Sequence, residues 1–146
     1  MKASTGLRNK LLDTGSLKAT MALGFLKIYT GAEPATADAA ATGTLVATIS
    51  NASTATGINL AVAAALGVIT KLSSETWSGV VAAGGPHVAG YFRHVAVGDT
   101  GALSTTEARL QGSIATAGAD LNISSTTLTT GATQTIDYYS IALPTL

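Results

Sequence analysis

The spacing of hydrophobic positions changes once along the chain, near residue 24. Before that point, in "STGLRNKLLDTGSLKATMALG" (residues 4–24), Leu7 and Leu11 stand four apart, which places them on one helical face. Ser4 or Thr5 can cap a first turn and Ser16 a second, with Gly15 between the two segments. The pattern predicts two short helices joined at Gly15. The second should cover 17–23 and end with Gly24 in the position that follows a helix. Beyond residue 24 the period shortens to two. "FLKIYTG" sets Leu26 and Ile28 against Phe25, Lys27 and Tyr29, as a half-buried strand does.

Further strands are predicted at "TLVATIS", "ETWSGVV", "VAGYFRHVAV", "ARLQGSIA" and "TQTIDYYSIAL", with one or two short ones inside "DLNISSTTLTTG". "INLAVAAALGVITKL" is mixed: its alanine run favours helix, while Val68, Ile69 and Thr70 favour strand. A strand or irregular crossing is expected near 58–62, and a strand at 67–72. Gly-rich turns such as "AAGGPH" and "GDTGA" separate the strands, and Pro86 and Pro144 fall at strand margins. No strand–helix alternation of the kind a parallel sheet needs is present. These features predict a mainly β chain: an antiparallel β-sandwich, jelly-roll-like, over residues 25–146, preceded by a helical arm over residues 1–24.

Composition adds a reason to expect association. Only 11% of the 146 residues are charged, against about 25% in an average soluble domain. A surface this poor in charge is weakly soluble as an isolated monomer, so contacts with further copies or a large partner are expected. Charge is also uneven. Residues 1–27 carry five basic residues against Asp13 alone, a balance of +4, and the remainder carries three basic against seven acidic, −4. A basic arm suits an acidic protein surface. Five spaced cations without interleaved aromatics argue against nucleic acid. No apolar run approaches the roughly 18 residues of a membrane span.

Candidate chemistry concentrates in "VAGYFRHVAVGD", with His87 just before it and Asp99 at its end. In an extended strand His87, Ala89, Tyr91 and Arg93 share one face, and Val88, Gly90, Phe92 and His94 the other. The two histidines therefore point apart and do not ligate one metal from this strand. There is no cysteine, no G-x-S-x-G elbow, and "AAGGPH" lacks the Lys-Ser/Thr of a phosphate-binding loop. Catalytic, metal and cofactor residues are thus all expected to be absent. Phe92 and Trp77 are expected in the core, and Arg93 at a subunit contact.

Four stretches together, "STGLRNKLL", "GFLKIYTGAEPATADAAATGTLVATI", "YFRHV" and "GADLNISSTTLTTGATQTIDYYSIALP", make the chain resemble a family of small structural proteins of tailed bacteriophages and prophages. The resemblance runs in order over nearly the whole chain. It implies a virion component, made in the bacterial host cytoplasm, and brings no catalytic residue with it. The leading expectation is a capsid decoration (cement) protein at the capsid surface, a homo-oligomer bound to the major capsid protein. The alternative is a tail or tail-fibre component used in host attachment. A phage hydrolase would need a carboxylate pair such as Glu75 with Glu107 or Asp99. Partner binding is assigned to Leu7, Arg8, Lys10, Leu11 and Lys18 of the arm and to Arg93. Short helices are marginal in water without a packing partner. Removing residues 1–23 is expected to leave a folded β-domain that no longer binds particles.

Overall fold

The computed structural model describes residues 1–143. Its elements are β1 (Lys2–Ala3), α1 (Thr5–Asp13), α2 (Leu17–Thr20), β2 (Phe25–Thr30), β3 (Leu45–Asn51), β4 (Val68–Thr70), β5 (Trp77–Val80), β6 (His87–Val95), β7 (Arg109–Ala115), β8 (Leu121–Asn122), β9 (Thr127–Leu128), β10 (Thr133–Ile136) and β11 (Ser140–Ala142). The fold is mainly β, antiparallel and sandwich-like, with two short helices at the start. "TQTIDYYSIAL" is divided between β10 and β11 at Asp137–Tyr139, and 58–62 is an irregular crossing held by single bridges at Ile58 and Leu60. Pro86 directly precedes β6; Pro144 lies outside the described residues.

The main sheet has nine strands, seven of them in the order β1-β7-β6-β2-β3-β5-β10, with β8 beside β7 and β9 beside β6; β11 pairs separately with β4. β3 is the fold's hinge line. Its residues Leu45 to Ile49 pair with β2, whereas Ser50 and Asn51 pair with β5. The sheet thereby turns over on itself and encloses a core between its two parts. Leu26, Ile28, Ile49, Phe92 and Leu110 line one side, and Trp77, Ile136, Tyr139 and Ile141 the other. Phe92, fully buried as expected, meets the Tyr139 ring edge-on at 5.9 Å, and Trp77 lies 5.5 Å from Tyr139. Gly112 sits opposite Phe92 in the register, and any Cβ there would press into the Phe92 ring.

Residues 1–24 do not stand apart from this body. Ser4 caps α1 through Leu7 N at 3.1 Å, while its hydroxyl donates to the Glu107 carbonyl at 2.7 Å and accepts from Arg109 N at 3.0 Å. Lys2 and Ala3 pair with Gln111 and Leu110 of β7. Leu7 and Met21 are both at 0% exposure inside the shared core. The segment expected as an arm thus buries Leu7 and Met21 against its own chain. Gly15 does break the helices, and Ser16 caps α2 through Ala19 N. α2 stops earlier than expected, and the left-handed residue beyond it is Leu23, with φ 56°. Gly24 serves a different need, because a Cβ there would collide with the Val95 carbonyl.

Candidate functional site

Across its middle strands the sheet is covered on both faces, and the second cover is polar. Opposite residues in register share a face, so Lys2, Gln111, Arg93, Lys27 and Thr48 form a row across five strands, on the face away from the core. Beside this row Tyr29 and Tyr91 stack with ring centroids 5.0 Å apart. The loop over residues 31–44 lies over this face. Tyr91 donates its hydroxyl to Thr42 O at 2.6 Å, and Gln111 Nε2 donates to Pro34 O at 2.7 Å and to Glu33 Oε1 at 3.1 Å. Arg109 donates to the carbonyls of Ala37, Asp38 and Ala102, which ties the loop over residues 98–108 to the first one.

The charges in this layer are unequally matched. Arg109 and Asp99 form a fully buried two-point pair, Nε to Oδ2 at 2.5 Å and Nη2 to Oδ1 at 3.1 Å, and Asp99 also accepts from Gly101 N at 2.6 Å. Lys27 donates to the backbone carbonyl of Asp99 at 2.9 Å. Arg93, also at 0% exposure, has no carboxylate partner among the described residues. Its Nε donates to Gln111 Oε1 at 2.7 Å, its guanidinium lies 6.0 Å from the Tyr91 ring centre, and its Nη1 has no hydrogen-bond partner among the described residues. Burial holds the Arg93 guanidinium below its ordinary pKa, against the pull of Tyr91. Chemically, the layer anchors two long loops rather than presenting a reactive group to solvent.

Of the residues assigned to partner binding, two are displaced by this architecture. Leu7 is in the core and Arg93 beneath the 31–44 loop, so neither reaches a partner surface. Leu11 is half-buried against the core, and Arg8, Lys10 and Lys18 are exposed. Arg8 donates to Thr5 Oγ1 at 3.0 Å, and Lys18 donates to the Val62 carbonyl at 2.8 Å. Two carboxylates of the hydrolase alternative are engaged by other groups. Asp99 is held by Arg109, and Glu75 accepts from Asn59 N, Asn59 Nδ2 and Trp77 Nε1, fastening the 58–60 crossing to β5.

His87 and His94 fall in different environments, but not by simple alternation: the register of β6 against β2 shifts between Ala89 and Tyr91, so Ala89 joins the core with Phe92 while Val88 is exposed. His87 is partly exposed at the start of β6, and His94 is fully buried, 6.0 Å from Trp77 and 5.6 Å from Tyr139. No group of three His, Cys, Asp or Glu converges among the described residues. Neither ring nitrogen of His94 has a hydrogen-bond partner among them, and burial lowers its pKa from 6.5 to about 4. Above pH 6.5 the ring is neutral in both folded and unfolded chains and contributes nothing to pH dependence. Between 6.5 and 4 only the unfolded chain takes up the proton, so stability falls as the pH falls. The loss approaches about 3 kcal/mol near pH 4. Urea titrations at pH 7 and pH 4.5 should show this loss, and a His94→Phe chain should lack most of it. Equal acid sensitivity in the two chains would assign it to other groups.

An exposed apolar corner went unnoticed in the sequence. Residues 60–71 form an irregular hairpin, bridged at Leu60–Lys71 and Ala65–Val68, which carries Val62 at 76% exposure and, at its tip, Leu66 at 103%. Leu143 N donates to Gly67 O, which sets a third exposed apolar side chain beside the tip. A cavity of about 310 Å³ opens next to it, lined mainly by Leu17, Ala64, Ile69, Ile141 and Leu143. The one available signal was the unbroken run "LAVAAALGVI", which has neither a polar face nor the length of a membrane span. Among the described residues no helix is long and apolar enough to cross a membrane. Comparison of the chain with protein-family models, with curated proteins and with solved structures gives no match.

Proposed function

We propose that this protein is a non-enzymatic virion structural protein of a tailed phage, a capsid decoration (cement) protein that binds the assembled head shell as a homo-oligomer. The observation that carries the reading is the apolar corner around Leu66 on a domain with only 11% charged residues. Contiguous apolar patches on otherwise polar surfaces mark sites of protein association. The resemblance in "GAEPATADAAATGTL" and "ADLNISSTTLTTGATQTID" supplies the particle context. The buried polar layer supports it too, since loops pinned by Arg109 and Gln111 give a rigid unit suited to repeated, closely packed contacts. Exposed Arg8 and Lys10 leave a basic surface for an acidic patch on the shell.

Copy number tests this reading. Quantitative mass spectrometry of purified particles should find this chain in a fixed ratio to the major capsid protein, at an abundance comparable with it. A count far below the shell's, set by the tail's symmetry, would move the protein to the tail. Absence from purified particles would end the virion reading altogether.

A further inference from the structure

The apolar corner contains both a projection and a recess. Leu66 stands wholly in solvent at the hairpin tip, at a left-handed φ of 51°. Immediately beside it, the cavity of about 310 Å³ is lined by apolar side chains of α2, β4 and β11 together with Leu143. A surface that carries a knob next to a hole is complementary to itself. A two-fold rotation brings each copy's knob to the other's hole, as in an isologous dimer.

Lys18 borders the cavity, and an opposite charge stands nearby in the chain. Asp13 ends α1 and Lys18 lies in α2, five residues apart, and both are exposed. Asp13 makes no ion pair among the described residues, and the ammonium of Lys18 meets only the Val62 carbonyl. Across a two-fold axis the Asp13 of one copy is available to the Lys18 of the other. A stable interface needs about 800 Å² from each partner, which is more than the hairpin tip offers by itself. α2 and Leu143 border the same cavity and extend the surface beyond the tip.

We infer that a second copy of this chain seats on the corner formed by the 60–71 hairpin, α2 and Leu143, with Leu66 of each copy entering the other's cavity. The inference rests on the reading above that the protein works as a homo-oligomer, and it locates the contact. Sedimentation equilibrium of the full-length chain over a concentration series tests it. Wild type should self-associate, and Leu66→Asn should raise the dissociation constant at least tenfold. Asn is at ease in the left-handed region, so the melting curve of this variant at concentrations where both chains are monomeric should not fall. Lys18→Asp should weaken association as well, and adding Asp13→Lys to it should restore the contact. A wild-type chain that stays monomeric throughout, or a Leu66→Asn chain that associates as tightly as wild type, overturns the inference. If Leu66→Asn associates normally yet no longer binds particles stripped of the native protein, the corner faces the shell. That outcome overturns the second-copy contact and leaves the virion reading standing.

Discussion

A chain lacking residues 1–23 is expected to lose its cooperative unfolding transition. The deletion removes Leu7 and Met21, both at 0% exposure and both part of the core shared with Leu26, Ile58 and Leu110. Emptying each of those sites costs about 2–5 kcal/mol, set against a total stability of about 5–15 kcal/mol for a natural domain. Polar losses add to this. Ser4 no longer satisfies Glu107 O and Arg109 N, and Asp38 loses Thr5 N and Thr5 Oγ1, which it holds at 2.8 and 2.7 Å. The edge of β7 that pairs with Lys2 and Ala3 becomes an open edge, which favours aggregation. Gly6 shows how closely the segment is applied, since a Cβ there would run into the backbone of Thr106 and Glu107. Thermal unfolding followed by circular dichroism of the full and shortened chains is the measurement. A shortened chain melting sharply within a few degrees of the full one would restore the detachable arm.

Asp99→Ala is the point substitution with the largest expected effect, a loss of about 3–5 kcal/mol, because it leaves a buried guanidinium without its counter-charge. Arg109 would keep its carbonyl contacts to Ala37, Asp38 and Ala102 but would lose both bonds to the carboxylate. The layer cannot supply a substitute. Arg93, the neighbouring buried cation, already lacks a carboxylate, and Glu33 is engaged by Lys2 at 3.1 Å and by Gln111. The Asp99 main-chain turn is weakened too, since Gly101 N donates to the same side chain. The double variant Asp99→Ala/Arg109→Met should be more stable than Asp99→Ala alone, since it removes the stranded charge. Urea unfolding of wild type, both single variants and the double variant gives the coupling directly. Additive single losses would show that the pair contributes no interaction of its own.

The local signals that placed the elements are short-range, and those readings agree with the structure. Ser4 and Ser16 cap helices because a serine oxygen three residues before a free N–H needs nothing from the rest of the chain. The period-two alternation at Leu26 and Ile28, and the assignment of Phe92 and Trp77 to the core, follow from the geometry of a strand with one apolar face. None of these requires a contact distant in the chain.

What only the tertiary structure decided are the partners brought from far along the chain. The sheet face bearing Arg93, Gln111 and Tyr91 carries polar residues, and the sequence pattern predicts a subunit contact for Arg93. It is buried because the 31–44 loop, itself without strand or helix, offers its carbonyls to these donors. Arg93 therefore belongs to the interior rather than to a subunit contact. Leu7 changes role for the same reason: four-residue spacing shows that a helix has an apolar face but not which surface covers it. The hairpin at 60–71 marks the converse case. Its base belongs to the core, with Leu60 and Ile69 buried, yet Leu66, which looks like core material by composition, lies beyond the Ala65–Val68 bridge in water. Alternation and capping are properties of neighbouring residues, and the sequence alone determined them; burial depends on which distant segment arrives to cover a face, and that was settled only when the chain closed on itself.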